Sequence, residues 1–260
     1  MKVVHDVNLT LHKGEIMCIV GESGSGKSTL ARSILRLMAP SSGAIRFHGD
    51  DITRLDKAGI RRYQRAVQAV FQDPYSSLNP RMTILDVICE PWTIQKDVLP
   101  RAQWRDKAIH LLESVGLDAK ALEKFPGEFS GGQRQRIAIA RALAMSSEII
   151  VCDEAISALD LMVQAQVIAL LRDLRDRLNV ALLFICHDLN LVRSFADSVL
   201  VMQAGRIVEQ GPAAALFDAP GHPYTRRLIA ASPVVDPDAQ SERRRARQAL
   251  QPPDQTPLQP

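Results

Sequence analysis

The chain has 260 residues, enough for one large domain or a domain carrying a lobe, and 46% hydrophobic with 23% charged residues reads as a globular protein with a full core. No apolar run approaches the roughly 18 residues of a transmembrane helix. The start, "MKVVHDVNLTLHKGE", alternates polar and apolar residues and is no secretion signal, so the expected compartment is the cytoplasm. The net charge of +3 is small, and part of it lies in "RRRAR" at 243–247, read as a solvated tail in preference to a lipid or nucleic-acid patch. Cys18, Cys89, Cys152 and Cys186 form no CxxC pair, and three of them sit in apolar strand-like segments. Buried free thiols are expected, as in a reducing compartment.

In chain order, "VVHDVNLTLHKGE" alternates like an edge strand, and "IMCIV" (16–20) is the fully apolar strand of a buried parallel sheet. A helix is predicted over 27–38, stopped by "APSSG", then a strand and turn in "AIRFHGDDI" and a strand over 66–72. From "DPYSSLNPR" to Glu128 the pattern is helical, with "TILDVICEPW" and "AQWRDKAIHLLESVG" separated by polar linkers and no convincing strand. This reads as a helical subdomain of about 73–145 inserted in the sheet core. Strands return in "EIIVCDE", "ALLFICH" and "SVLVMQAG", each separated by a helix, which argues for an α/β fold with a mainly parallel sheet. The main domain is read as 1–235, and 236–260, rich in Pro, Gln, Asp and Arg, as a disordered tail.

"GESGSGKST" satisfies G-x-x-x-x-G-K-[ST] through Gly21, Gly26, Lys27 and Ser28, between a buried strand and a helix. Its glycines, Gly24 among them, let backbone N–H groups of the loop, including those of Ser23 and Thr29, turn toward phosphate oxygens, and the helix N-terminus adds positive potential. Lys27 would reach the β- and γ-phosphates, and the Ser28 hydroxyl would ligate Mg²⁺. "IIVCDE" carries Asp153 and Glu154 to the C-terminal end of a strand, where open α/β sheets bind ligands. Asp153 can hold the metal, and Glu154 can accept a proton from, or orient, the attacking water. Gln72 and His187 also end apolar strands, either as turn residues or as members of the same site.

A second glycine-bearing helix start, "FSGGQRQRIAIARAL", follows Phe129. In this order the elements resemble the ATP-binding subunit of ABC transporters, a P-loop NTPase core with an N-terminal antiparallel β portion and an inserted helical subdomain. The likeness extends over nearly the whole chain. "GESGSGKST" resembles the Walker A loop, Gln72 in "VFQDPYSSLNP" the Q-loop, and "IIVCDE" the Walker B strand. "SALD", ending at Asp160, resembles the D-loop, His187 in "ICHDL" the switch histidine, and "FSGGQ" the signature. The resemblance implies catalytic roles for Glu154, His187 and Gln72, with Ser28, Gln72 and Asp153 at Mg²⁺. It also implies a head-to-tail pair of such domains, identical or related, that sandwiches ATP. Ser130, Gly131, Gly132 and Gln133, together with Asp160, would then face a partner's nucleotide, with Ser130 as helix N-cap.

"QDPYSSLNPRMT", "DEAISALDLMVQAQV" and "HPYTRRLIAASP" are similar to the importer subgroup for peptides, nickel and related small solutes. That likeness implies membrane-spanning permease subunits, an external solute-binding protein, a peripheral place on the cytoplasmic face of the inner membrane, and no nucleic-acid partner. Two departures stand out. No aromatic residue precedes Phe47 to match the family's adenine-stacking residue, and no cysteine follows Cys186, so no iron–sulfur cluster is expected. The alternatives are a soluble ABC ATPase acting on nucleic acid or the ribosome, and a weakly hydrolysing regulatory subunit.

Overall fold

The computed structural model describes residues 3–71 and 77–232. Its centre is a sheet of six strands, β1 (Ile16–Val20), β4 (Val67–Phe71), β5 (Ile149–Asp153), β6 (Ala181–Ile185), β7 (Ser198–Gln203) and β8 (Arg206–Pro212), in the order β4-β5-β6-β1-β7-β8. All neighbours are parallel except the β7–β8 hairpin. The apolar runs form strands because both faces are covered. In β1, Ile16, Cys18 and Val20 enter one core cluster, whereas Met17 and Ile19 enter the other. The period-2 alternation of side chains therefore sorts one continuous apolar run into two cores.

The smaller core lies under α1 (Lys27–Ile34), α2 (Lys57–Ala66) and the short antiparallel pair β2 (Arg46–Phe47) and β3 (Asp50–Asp51). The larger core takes α6 (Leu161–Leu178), α7 (Leu189–Phe195), α8 (Ala213–Asp218) and α9 (Pro223–Ala231), together with the helices between β4 and β5. Those helices are α3 (Ile84–Ile94), α4 (Trp104–Ser114) and α5 (Gly131–Leu143), with short 3₁₀ turns among them and no strand over residues 77–148. Trp92, fully buried in α3, donates its indole N–H to the Ala144 carbonyl at 2.9 Å and so ties α3 to the end of α5.

Two expectations from the sequence are corrected. The helix predicted over 27–38 stops at Ile34. Arg36 adopts φ 57°, Leu37 N–H donates to Arg32 C=O at 2.8 Å, and Arg36 N–H donates to Ser33 C=O at 3.1 Å. That is a Schellman turn with Arg where glycine is usual, so no glycine marks the stop. The amino-terminal segment is not a strand. Val7, Leu9 and Leu11 do alternate inward onto the smaller core, as their spacing predicts, but no backbone ladder pairs them. The expected tail, 236–260, lies outside the described residues.

Candidate nucleotide site

The site forms at the carboxyl ends of β1, β5 and β6. After β1 the chain turns through 21–26 and enters α1 without a side-chain cap, its N-cap being Gly26 at φ 102°. That left-handed geometry is open to glycine and strained for other residues. Gly21 is constrained differently: a Cβ there would lie 2.2 Å from the Met202 carbonyl oxygen in β7. The loop is braced from outside, where Gly205 N–H, in the β7–β8 turn, donates to Ser25 C=O at 2.9 Å. Inside, the Lys27 ammonium, 7% exposed, donates to the carbonyls of Gly21 at 2.7 Å and Glu22 at 2.9 Å. Burial pulls its pKa down from the ordinary lysine value, an effect opposed by the nearby Glu154 and Asp153 carboxylates.

Asp153 ends β5, and its carboxylate accepts a hydrogen bond from the Ser28 hydroxyl at 3.3 Å. Burial raises the Asp153 pKa, against the lowering pull of Ser28, while the neighbouring Glu154 raises it further. Glu154 follows at φ 50°. Its N–H donates to Ile185 C=O at 3.1 Å, and its own carbonyl accepts from Ser157 N–H at 3.0 Å and from the Ser157 hydroxyl at 2.9 Å. Bonds on both sides thus hold a non-glycine residue in a left-handed turn that carries it out of the strand. A cavity of about 340 Å³ is lined by Val3, Ser23 through Thr29, Glu154 and His187.

The residues expected to meet a partner's nucleotide do not line that cavity. Ser130, exposed, caps α5: its hydroxyl accepts from Gln133 N–H at 3.3 Å, and Gln133 Oε1 accepts from Ser130 N–H at 3.0 Å. Arg134 anchors the preceding turn by donating to the Pro126 carbonyl at 2.7 Å. Gly131 and Gly132 pack against Leu159 and Val163, so the start of α5 lies directly on the Asp160-capped start of α6. Leu161 and Met162 beside that cap are 77% and 75% exposed. Gln72 lies outside the described residues.

Some contacts to the loop were invisible to pattern reading. The Tyr224 hydroxyl, from α9, accepts from Glu22 N–H at 3.0 Å. Val3 lines the cavity beside the glycine loop. The string "HPYT" marks the position of Tyr224, but nothing in its local spacing reveals a partner 202 residues away.

A buried strand, a glycine loop around an internal lysine and a carboxylate pair ending the next-but-one strand define a P-loop nucleoside triphosphatase. The family model "ABC transporter" matches residues 4–157, and "Oligopeptide/dipeptide transporter, C-terminal region" matches 208–258. The chain belongs to the ABC transporter family as an ATP-binding subunit, an ATPase coupled to transport. It is 51% identical over 237 residues to a probable peptide ABC transporter ATP-binding protein, y4tS, of Sinorhizobium fredii, an alignment covering 91% of this chain and 67% of that protein. It is 45% identical over 253 residues to the oligopeptide transport ATP-binding protein OppF of Bacillus subtilis, covering 97% and 82% respectively. Among solved structures, cbiO1 of Clostridium perfringens, part of the ABC transporter complex cbiONQ, superposes with TM-score 0.75 at 29% identity, covering 84% of each chain. The ATP-binding cassette MJ0796, solved as a dimer in a post-hydrolysis state with ADP and Pi, does so with TM-score 0.70 at 29% identity, over 81% of this chain and 90% of that one. Among the described residues no helix is long and apolar enough to cross a membrane.

Proposed function

We propose that the chain powers import of a peptide, or of a related small solute such as nickel, through membrane-spanning permease subunits. It works at the cytoplasmic face of the cell membrane, paired with a second ABC ATPase subunit and served indirectly by an external solute-binding protein. The observation that carries the peptide class is the carboxy-terminal match over 208–258, in line with the names of the relatives. In this reading the loop N–H groups and Lys27 receive the β- and γ-phosphates of ATP. Two loop carbonyls hold the Lys27 ammonium in place, and an ammonium carries a third N–H that can turn to a phosphate oxygen. The paired hydroxyl of Ser28 and half-buried carboxylate of Asp153 are hard oxygen donors that suit Mg²⁺, with Gln72 as a further donor. Bound there, the ion neutralises phosphate charge.

Glu154 accepts a proton from, or orients, the water that attacks the γ-phosphorus as the bond to the β–γ bridging oxygen breaks and ADP leaves. His187 lines the same cavity. A group in the role of Glu154 contributes about 10²–10⁴ in rate. The exposed Ser130 start of α5 supplies its N–H groups to a partner's ATP, so ATP favours the closed pair over the open one.

Light scattering of the Glu154→Gln variant, with and without MgATP, tests this reading. An ATP-dependent dimer is expected, abolished by adding Ser130→Arg. A chain that stays monomeric while binding ATP would overturn self-pairing through Ser130.

A further inference from the structure

The peptide unit between Gly21 and Glu22 is held at both ends. Its carbonyl, that of Gly21, accepts the Lys27 ammonium at 2.7 Å, and its N–H, that of Glu22, donates to the Tyr224 hydroxyl at 3.0 Å. One side of this unit is a glycine, which resists rotation of the peptide plane least. A flip of the plane would break both of these hydrogen bonds and leave the Lys27 ammonium with the Glu22 carbonyl, at 2.9 Å, as its remaining backbone acceptor.

Tyr224 is itself firmly placed. It is 3% exposed within the larger core, and burial raises its phenol pKa, so the hydroxyl stays protonated. Its helix is pinned to β8 by Glu209, whose carboxylate accepts from Gly221 N–H at 2.7 Å and His222 N–H at 3.1 Å. His222 Nδ1 accepts from Tyr224 N–H at 3.1 Å as the helix cap, and Pro223 takes the first helical position, where no N–H is needed. A ring required only for packing would need no hydroxyl. Here the hydroxyl is the partner of a phosphate-loop amide.

We propose that Tyr224 is a positioning residue for ATP: its hydroxyl fixes the Gly21–Glu22 peptide, keeps Lys27 in place to receive phosphate, and links docking of α9 to nucleotide affinity. The inference rests on the reading of this cavity as the ATP site. By linkage, whatever loosens α9 weakens ATP binding, and ATP in turn tightens α9.

Calorimetric titration of MgATP into the full-length Glu154→Gln protein, with and without Tyr224→Phe, tests the proposal. Loss of one neutral hydrogen bond should raise Kd about three- to tenfold. Leu228→Ala, which trims packing of the same helix without touching the hydroxyl, serves as control: its melting temperature should fall with a smaller change in Kd. An unchanged Kd in Tyr224→Phe, or a rise no larger than Leu228→Ala gives for the same loss of melting temperature, would overturn the positioning role. No MgATP binding by the Glu154→Gln parent would instead overturn the ATP reading of the cavity. Hydrogen exchange on the unsubstituted protein supplies a second measurement: MgATP should slow exchange over 222–231 as well as 21–29, and protection confined to 21–29 would sink the linkage.

Discussion

The Tyr63 hydroxyl donates to the Ile34 carbonyl, one of the acceptors that α1 leaves open at its carboxyl end. The ring stands edge-on to Phe47 at 5.3 Å between centroids, so a single side chain joins α2, α1 and the β2–β3 pair. Burial pushes its pKa from 10.0 up to about 12. The folded state therefore holds this proton more tightly than the unfolded chain does. The stability it contributes is whole below pH 10, and falls as pH rises toward about 12. A shift of this size corresponds to a fall on the order of 2–3 kcal/mol. Urea denaturation at a series of alkaline pH values should show this fall, and Tyr63→Phe should flatten that part of the curve. An equally steep fall in the Phe variant would mean that another group titrates.

At the level of elements, the contact between α5 and α6 decides where the exposed Ser130 end can sit. A Cβ on Gly132 would lie 2.4 Å from Val163 Cγ1, and Val163, branched at Cβ, has few rotamers in which to escape. Gly132→Ala is expected to destabilise the protein by about 1–3 kcal/mol through overpacking. Combining it with Val163→Ala should restore most of that loss, as measured by chemical denaturation. Absence of rescue would show that Gly132 is required by backbone conformation instead of by space. This packing was unreadable in advance. "SGGQ" announces a capped helix start, but the neighbour of Gly132 comes from another helix, 31 residues onward. The end of α1 departs from the sequence pattern for a related reason: Arg36 is held at φ 57° by its own N–H on Ser33 C=O and by Leu37 N–H on Arg32 C=O, and its side chain carries no turn signal.

Across the whole molecule, all four cysteines lie in the larger core, buried and free. Burial raises the thiol pKa at each place where a shift is evident, to about 11 at Cys89 and Cys186 and well above the ordinary value at Cys18. Little thiolate exists near neutral pH, and access is blocked as well. A disulfide reagent such as DTNB at about pH 8 should label fewer than one thiol per folded chain and all four after unfolding. Rapid labelling of the native protein would show that one of the cysteine-bearing segments opens.

The sequence by itself determined the local chemistry: the short apolar strands, the glycine loop with Lys27 and Ser28, the Asp153–Glu154 strand end and the Ser130 cap. Each of these depends on neighbours a few residues apart, and the strands declare themselves because a parallel sheet covered on both faces favours near-continuous apolar runs. Only the tertiary structure decided what stands beside what. The sheet order β4-β5-β6-β1-β7-β8 brings the ends of β1, β5 and β6 to one cavity with Glu154 and His187, and leaves Ser130 off it. It also sets Tyr224 against the first peptide of the phosphate loop. Such contacts join groups far apart in the chain, and their energies depend on distance in space, which no local spacing of residues encodes.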